Sequence, residues 1–440
     1  MQIPEYNRKT VRAWTFYDWA NSVYSLVIST AIFPIYYTAL TTSETADPEM
    51  ADQVFLFGFQ FTNTALYDYA MAVSFLLIAL LSPLLSGVAD YSSRKKSFLR
   101  RFCYVGAIAC MGLFFFDSID FLLLALLLSM LASIGFWGSQ VFYNAYLPEI
   151  APPLKQDRVS AMGFVYGYIG SSLLLILCLV LIEGYEMFGF PDKGLATRVA
   201  FVLVGIWWVG FAQITFAALP EGEGRKSIHW RSLGNGYREL LHFWRELKER
   251  KGLQVYLSAY FFFSVGVQTV ILLASVFGSK ELGLPSSKLI LTILVIQFVG
   301  AFGAYLFSVL SGKIGNLRSL MLAVAVWIII CLGAFFMRKD DPYIEAEFYT
   351  LGALVGLVLG GIQSLARSTY SKMLPSEGKH TTYFSFYDVS EKLALALGLF
   401  LFGLVEELTG NMHNSALVLG IFFLFSLFLL VRTRSHFKMF

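Results

Sequence analysis

Ser86-Gly-Val-Ala-Asp90-Tyr-Ser-Ser93-Arg94-Lys95-Lys96 has a counterpart 222 residues further on, Ser308-Val-Leu-Ser-Gly312-Lys313-Ile-Gly315-Asn-Leu-Arg318. Each segment follows a long apolar run and contains bases. Gly138-Ser-Gln140 returns as Gly361-Ile-Gln363, at an offset of 223. Every match is short, and their common offset carries the reading: the chain is two related halves in tandem. The copies differ in one respect, since Asp90 in the first is Gly312 in the second.

Composition says what the halves are made of. The 440 residues are 57% hydrophobic and 14% charged, with a mean hydropathy of +0.65. A water-facing surface of this size needs far more charge. The apolar residues stand in blocks rather than at a period of 3.6 or 2.0, so lipid is the solvent. The blocks predict twelve spans, at about 16–39, 63–88, 98–116, 119–146, 160–182, 199–219, 254–278, 288–311, 317–337, 347–366, 383–405 and 415–431. The expected fold is an all-α membrane protein, with twelve transmembrane helices in two pseudo-symmetric six-helix bundles. The bundles are residues 1–219 and 254–440, joined by a cytoplasmic linker at 220–253. In the linker Tyr237, Leu240, Leu241, Trp244 and Leu247 repeat at helical spacing among Arg238, Arg245, Lys248 and Arg250. That pattern is an amphipathic helix lying on the cytoplasmic leaflet.

Charge placement orients the chain. With the N-terminus in the cytoplasm, 26 of the 33 Lys and Arg fall in cytoplasmic segments. The first external loop, 41–62, holds Glu44, Asp47, Glu49 and Asp52 and no base. This positive-inside bias puts both termini in the cytoplasm. The first apolar run is expected to direct insertion itself, with no cleavable signal peptide.

Several function classes are disfavoured. Cys103, Cys110, Cys178 and Cys331 sit inside apolar runs as packing residues, with neither disulfide nor metal spacing. The histidines, 229, 242, 380, 413 and 436, are expected in loops, linker or tail. No phosphate-cradling Gly loop followed by Lys supports direct ATP drive. No nucleophile–base pair points to an enzyme, and neither a cofactor nor a nucleic acid is implied. Aromatic residues, 17% of the chain, fit interface belts and helix packing.

Polar groups in hydrocarbon are costly unless partnered, so each one is a functional candidate. Gln140 and Asn144 share one face of the fourth span, and Gln363 and Arg367 are their repeat equivalents, which is what a cavity between halves needs. Arg367 can hold a carboxylate or phosphate bidentately, or be a snorkelling anchor near the cytoplasmic end. Asn21, Ser22 and Tyr24 are cavity candidates in the first span, with Gln268 and Thr269 opposite them in the seventh. Asp388 and Lys392 lie one turn apart, with Lys392 near mid-depth, so Asp388 or Glu391 should stand beside the ammonium. The three could exchange a proton or merely neutralise one another. Asp18 reads equally as an N-cap or as a gate. Asp68, between Tyr67 and Tyr69, reads as an external gate, a proton acceptor or a tyrosine-bonded side chain.

The segment 86–96 resembles the loop motif of the major facilitator superfamily, small-xxx-Asp-xx-small followed by bases, with Ser86 and Ser93 where glycine is usual. The resemblance implies a gate in which Asp90, flanked by Arg94, receives backbone N–H groups or a base from the other half while the cytoplasmic side is closed. The other reading is a topology-setting basic loop with an incidental capping Asp. More particular stretches are Trp14-Thr-Phe-Tyr17-Asp18-Trp19-Ala20-Asn21-Ser22, Phe142-Tyr143-Asn144-Ala145-Tyr146-Leu147-Pro148-Glu149-Ile150, and Gly163-Phe-Val-Tyr166-Gly167-Tyr168-Ile169-Gly170. Two more are Gln363-Ser-Leu-Ala-Arg367-Ser368 and Phe386-Tyr387-Asp388-Val-Ser-Glu391-Lys392. Together they resemble the vacuole-effluxer family of major facilitators, named for a fungal autophagy-related amino-acid exporter, in a bacterial-type member.

That resemblance implies a twelve-helix permease of a bacterial inner membrane, working as a monomer in lipid and moving amino acids or similar small solutes by alternating access. One departure stands out. The family's Asn-Asp-Gly after an aromatic in the seventh span is here Phe263-Ser264-Val265-Gly266-Val-Gln268-Thr269, so coupling through that acid is not carried over. The reading is a secondary transporter of a small polar, carboxylate-bearing solute, driven by a proton or substrate gradient. A carrier of sugars, peptides or lipid-like solutes, and a non-transporting receptor on the same fold, are the other readings.

Overall fold

A computed structural model describes residues 6–43, 52–221, 243, 245–375 and 380–436. The acids Glu44, Asp47 and Glu49, and the linker residues Tyr237, Arg238, Leu240, Leu241 and Trp244, lie outside the described residues. Twelve long helices make up most of the rest. They are α1 (Arg8–Thr41), α2 (Asn63–Ser92), α3 (Lys95–Gly112), α4 (Leu122–Asn144), α5 (Pro153–Glu183) and α6 (Lys193–Ala218), then α7 (Lys251–Lys280), α8 (Ser286–Ile314), α9 (Asn316–Phe336), α10 (Ile344–Met373), α11 (His380–Thr409) and α12 (Met412–His436).

Among the described residues, eleven helices are long and apolar enough to cross a membrane, and α11 is the exception by composition. It is 30 residues long but carries Asp388, Glu391 and Lys392. Its neighbours α2, α4, α7 and α12 enclose it, and Asp388 and Lys392 are buried, so protein rather than lipid surrounds the charges.

The repeat seen in the sequence reappears as packing. In the first half α1 lies against α5 and α6, α3 against α4 and α6, and α2 against α4. The second half repeats all five pairings six helices later: α7 with α11 and α12, α9 with α10 and α12, α8 with α10. Between halves, α5 meets α8 and α10, and their counterparts α11 and α2, α11 and α4, meet likewise. Each half has its own apolar core, around Trp14, Tyr17 and Trp208 in one and Tyr256, Trp327 and Phe423 in the other.

Helix approach is set by small residues. Along α8 and α10 a Cβ added at Gly303 would meet the Leu357 carbonyl, one at Gly356 the Ile296 carbonyl, and one at Gly360 the Gly300 carbonyl. In lipid, close backbone packing of this kind replaces the hydrophobic drive available in water.

Two local features differ from the sequence expectation. α1 starts at Arg8, where the Asn7 side chain accepts from the amides of Lys9 (2.9 Å) and Thr10 (3.3 Å). Asp18 is therefore about 15 Å along the helix and does not cap it; that reading is corrected. Hydropathy marks where the lipid-facing portion begins, and the helix extends more than two turns beyond it. Further along, α1 is π-helical from Tyr24 to Ile32. Pro34 cannot donate to the Thr30 carbonyl; within the π-helical stretch the Thr30 hydroxyl donates to the Ser25 carbonyl, five residues back, at 2.8 Å.

Between α1 and α2 the chain forms an antiparallel hairpin, β1 (Gln53–Leu56) with β2 (Phe59–Thr62), Val54 opposite Phe61. Both turn residues have positive φ, Phe57 at 54° and Gly58 at 83°, as a right-twisted two-residue hairpin requires. In the linker, residues 245–249 are helical, with Leu247 buried in the second half's core and Phe243 stacked on Phe386 at 3.9 Å. This stretch docks on the second half rather than lying only on a lipid surface.

Candidate functional site

A cavity of about 280 Å³ runs between the halves. Its floor is towards the basic side, the side that bears both ends of the described chain. Floor and walls have different chemistry.

The floor is one guanidinium. Arg367 of α10 is 3% exposed and reaches into the other half. Nε donates to the Ser160 hydroxyl at 2.9 Å, Nη2 to the Ser160 carbonyl at 2.8 Å, and Nη1 to Asn144 Oδ1 at 3.1 Å. Both terminal nitrogens also stand 3.5 Å from Asp18 Oδ2. These contacts occupy all five of its donors. The Tyr143 hydroxyl donates to the same Asp18 oxygen at 2.7 Å, and Trp14 Nε1 donates to the Tyr143 carbonyl at 2.9 Å. Phe164 lies under the guanidinium, 4.4 Å from its ring centre, with Trp14 at 5.0 Å. Asp18 and Arg367 thus form a buried ion pair between halves, with every guanidinium donor taken and aromatic faces around it.

Below the floor, three further contacts join the halves. Asp90 Oδ2 accepts from the Thr382 amide at 2.7 Å and its hydroxyl at 2.9 Å, so an acid from α2 satisfies the free N-terminal donors of α11. Glu149, in the single turn Leu147–Ile150 after α4, pairs with His380 at 3.1 Å and with Lys95. Asp157 of α5 takes Lys372 Nζ at 2.7 Å, Asn316 Nδ2 at 2.7 Å and the Ser311 hydroxyl at 2.9 Å.

The walls carry Ser22, Tyr24, Ser25, Ser29 and Thr30 of α1, Gln140 and Asn144 of α4, Gln268 of α7 and Gln363 of α10. The π-helical stretch of α1 supplies four of these positions. On α11, Asp388 and Glu391 face the cavity. Lys392 is buried behind them, 3.0 Å from Asp388, 3.9 Å from Glu391, and 3.4 Å from the ring centre of Trp137 in the opposite half. Gln268 Nε2 donates to Glu391, and the Tyr168 hydroxyl donates to Gln363 at 3.1 Å. The arrangement can enclose a small polar solute, with hydrogen-bonding amides around it and charge concentrated at α11.

Residues 6–436 match the model of the family described as "Vacuole effluxer Atg22 like". The chain belongs to that family. It is 30% identical to the MFS-type transporter YxiO of Bacillus subtilis (strain 168), over 96% of this chain and 94% of the relative. Autophagy-related protein 22 of Kluyveromyces lactis is 23% identical over 97% and 93% of the two chains. Among solved structures, the transporter FucP in its outward conformation superposes with a TM-score of 0.69 at 12% identity, covering 97% of this chain and 98% of that one. The human organic anion transporter MFSD10 does so with a TM-score of 0.69 at 14% identity, over 96% and 99%. The fold is that of the major facilitators, and this Atg22-like chain is a multi-pass membrane transporter, not an enzyme.

Against that background the residues singled out in the sequence fall into three groups. Ser22, Tyr24, Gln140, Asn144, Gln268, Gln363, Arg367, Asp18, Asp388 and Glu391 line the cavity. Asp90 lies below the floor, and Lys392 behind the wall. Asn21, Thr269, Asp68 and Arg94 are elsewhere. Asn21 is fully buried off the cavity, and Thr269 is buried with its hydroxyl on the Val265 carbonyl at 2.6 Å, close against Gly398. Asp68 is exposed in the far part of α2, and Arg94 is exposed at the start of α3. Neighbouring positions on a helix diverge by about 100°, so Gln268 faces the cavity and Thr269 turns from it.

Sequence reasoning did not single out Ser160, Asp157, Lys372 or His380 as site residues. The offset of 223 held a signal for three of them. It pairs Glu149 with Lys372 and Asp157 with His380, two acid–base couples in mirrored places. Ser160 had no such signal, since one serine in a helix is unremarkable until the arginine facing it is known.

Proposed function

We propose that the chain moves a small polar solute, amino acids among its cargo, across a bacterial inner membrane by alternating access, with its basic side towards the cytoplasm and the two six-helix halves as the moving bodies. One observation carries the reading: a cavity lined by polar side chains of both halves ends in a buried ion pair, Asp18–Arg367, whose members belong to opposite halves. Such a contact exists only while the halves are together on that side, so making or breaking it selects between two states.

The sequence of events follows from the geometry. A solute enters from the side away from the termini and meets Ser22, Tyr24, Gln140, Gln268 and Gln363. The halves close over it there and part on the basic side. Parting breaks the Arg367 contacts with Asp18, Asn144 and Ser160, the Asp90–Thr382 bonds and the Asp157–Lys372 pair. Arg367 is then a gate first, and its donors face a solute only after it lets go. Asp388, Glu391 and Lys392 supply the coupling to a proton. The family description, an effluxer, favours export.

Proteoliposome counterflow tests this. Protein loaded with an unlabelled amino-acid mixture should accumulate labelled amino acid transiently, and the Arg367→Ala protein should not. Counterflow with sugars alone, or wild-type rates in Arg367→Ala, would overturn the cargo or the gate respectively.

A further inference from the structure

The charge balance of the cavity wall bears on which solute fits. At the floor Asp18 and Arg367 cancel, and every guanidinium donor already has a protein acceptor. On α11, Lys392 and Asp388 cancel at 3.0 Å. Glu391 is left over. It stands 3.9 Å from Lys392 and accepts a hydrogen bond from Gln268, a neutral donor. Asp388 is 5% exposed, and its Oδ2 is buried with no hydrogen-bond partner among the described residues.

Among the described residues, no other element places a cation beside Glu391. From α7 comes Tyr260, stacked on Tyr387 of α11 at 4.0 Å, and from α4 comes the ring of Trp137. Neither α2 between Asp68 and Asp90 nor α12 between His413 and Arg432 carries a charged residue. Two carboxylates therefore stand beside one ammonium, with Glu391, its side chain 18% exposed, on the cavity wall. A second carboxylate sharing one ammonium in a partly desolvated wall favours one further positive charge, and the cavity is where it comes from.

We propose that Glu391 binds the ammonium group of an amine-bearing solute, with the Asp388–Lys392 pair behind it, and that Glu391 takes one proton when the solute leaves. Each solute is then exchanged for a proton, and the charge of the cavity stays constant through the cycle. This rests on the transport reading above. Tyr260 and Tyr387, stacked on each other, and Trp137, over which Lys392 lies, line the cavity beside Glu391. A solute with only a carboxylate finds no free cation there, so an amino acid is recognised through its amine, against the expectation of carboxylate-led recognition.

The test uses the purified full-length chain in weakly buffered detergent, with three probes of one shape: phenethylamine, phenylalanine and 3-phenylpropionate. Binding is followed by calorimetry and proton release by a pH indicator, at neutral and mildly acidic pH. The two amines should bind and release up to one proton per molecule, most at the more acidic pH, while 3-phenylpropionate does neither. Glu391→Gln should lose the proton release and most of the amine affinity. Glu391→Asp, which keeps the charge, should retain release with weaker binding, and it serves if the Gln variant does not fold. Tight binding of 3-phenylpropionate, amine binding with no proton release at any pH, or an unchanged Glu391→Gln protein would overturn the proposal. Failure of both amines to bind, while another solute is transported in proteoliposomes, overturns it and leaves the transport reading standing. Failure of every solute to be transported removes the transport reading itself.

Discussion

Glu149 and Lys372 stand 223 residues apart at equivalent ends of α4 and α10, and each reaches across to the other's mirrored partner with opposite charge. Glu149 meets His380 at 3.1 Å, and Lys372 meets Asp157 at 2.7 Å. The two halves are thus closed on the basic side by one contact used twice with its polarity reversed. The same inversion accounts for Gly312. The second loop copy lacks the acid of Asp90, and the acid is supplied across the gap by Asp157, which Ser311, Asn316 and Lys372 surround.

Removing one member of the Asp157–Lys372 pair should favour the state open on the basic side. Their side chains are 11% and 7% exposed, so the cost of stranding one charge is about 3 kcal/mol or more. Asp157→Asn and Lys372→Met should each raise the labelling rate of a cysteine at Ser22 by a reagent reaching it from the basic side. Unchanged labelling in both would show that the pair does not bias the equilibrium.

Asp90 acts through two hydrogen bonds to Thr382 rather than through an ion pair. Asp90→Ala should cost about 1–3 kcal/mol of the closed state, roughly a fivefold to hundredfold shift in population. Arg94→Ala, at an exposed position beside it, should shift it little. The same labelling assay separates the two, and a larger effect from Arg94 would favour the reading of this loop as a topology signal.

The buried pair at the floor predicts a rescue. Arg367→Ala leaves Asp18 buried with its hydrogen bond from Tyr143 but no cation, a loss of about 3–5 kcal/mol. Adding Asp18→Asn removes the stranded charge and should recover a large part of the thermal stability but none of the transport. Stability that is additive across the two substitutions would mean the residues are not coupled.

Packing of α8 on α10 should be intolerant of a single methyl. Gly360→Ala places its Cβ against the Gly300 carbonyl, and overpacking costs about 1–3 kcal/mol. Gly210→Ala, with nothing near its Cβ, is the control and should not lower the unfolding temperature.

The architecture was legible because lipid imposes long apolar blocks and because duplication leaves a constant offset. The offset also put Gln140 and Gln363 on facing walls of one cavity and marked Asn144 and Arg367 as equivalents; in the structure those two bond to each other. The loop motif offered Asp90 either backbone N–H groups or a base from the other half, and in the structure it accepts from the Thr382 amide and hydroxyl. What the sequence hid depends on distance in space. Whether Arg367 meets solute or protein turns on Ser160, 207 positions away, and on Asp18, 349 away. Asp18 looked like a cap because hydropathy cannot see the polar turns of α1 that precede the lipid. Asn21 and Thr269 are polar residues on cavity helices, and only the helical phase, fixed by packing, turns them away from the solute.

The most direct test of alternating access is a pair of distances measured in one preparation by double electron–electron resonance. Spin labels at Leu154 and Lys313, both exposed on the basic side of opposite halves, report one gap. Labels at Met187 and Leu408, 88% and 75% exposed on the far side, report the other. In the wild type the basic-side distance should be short, and in Asp157→Asn or Arg367→Ala a longer basic-side population should appear together with a shorter far-side one. Distances that stay fixed in every variant, or that lengthen on both sides together, would contradict the account.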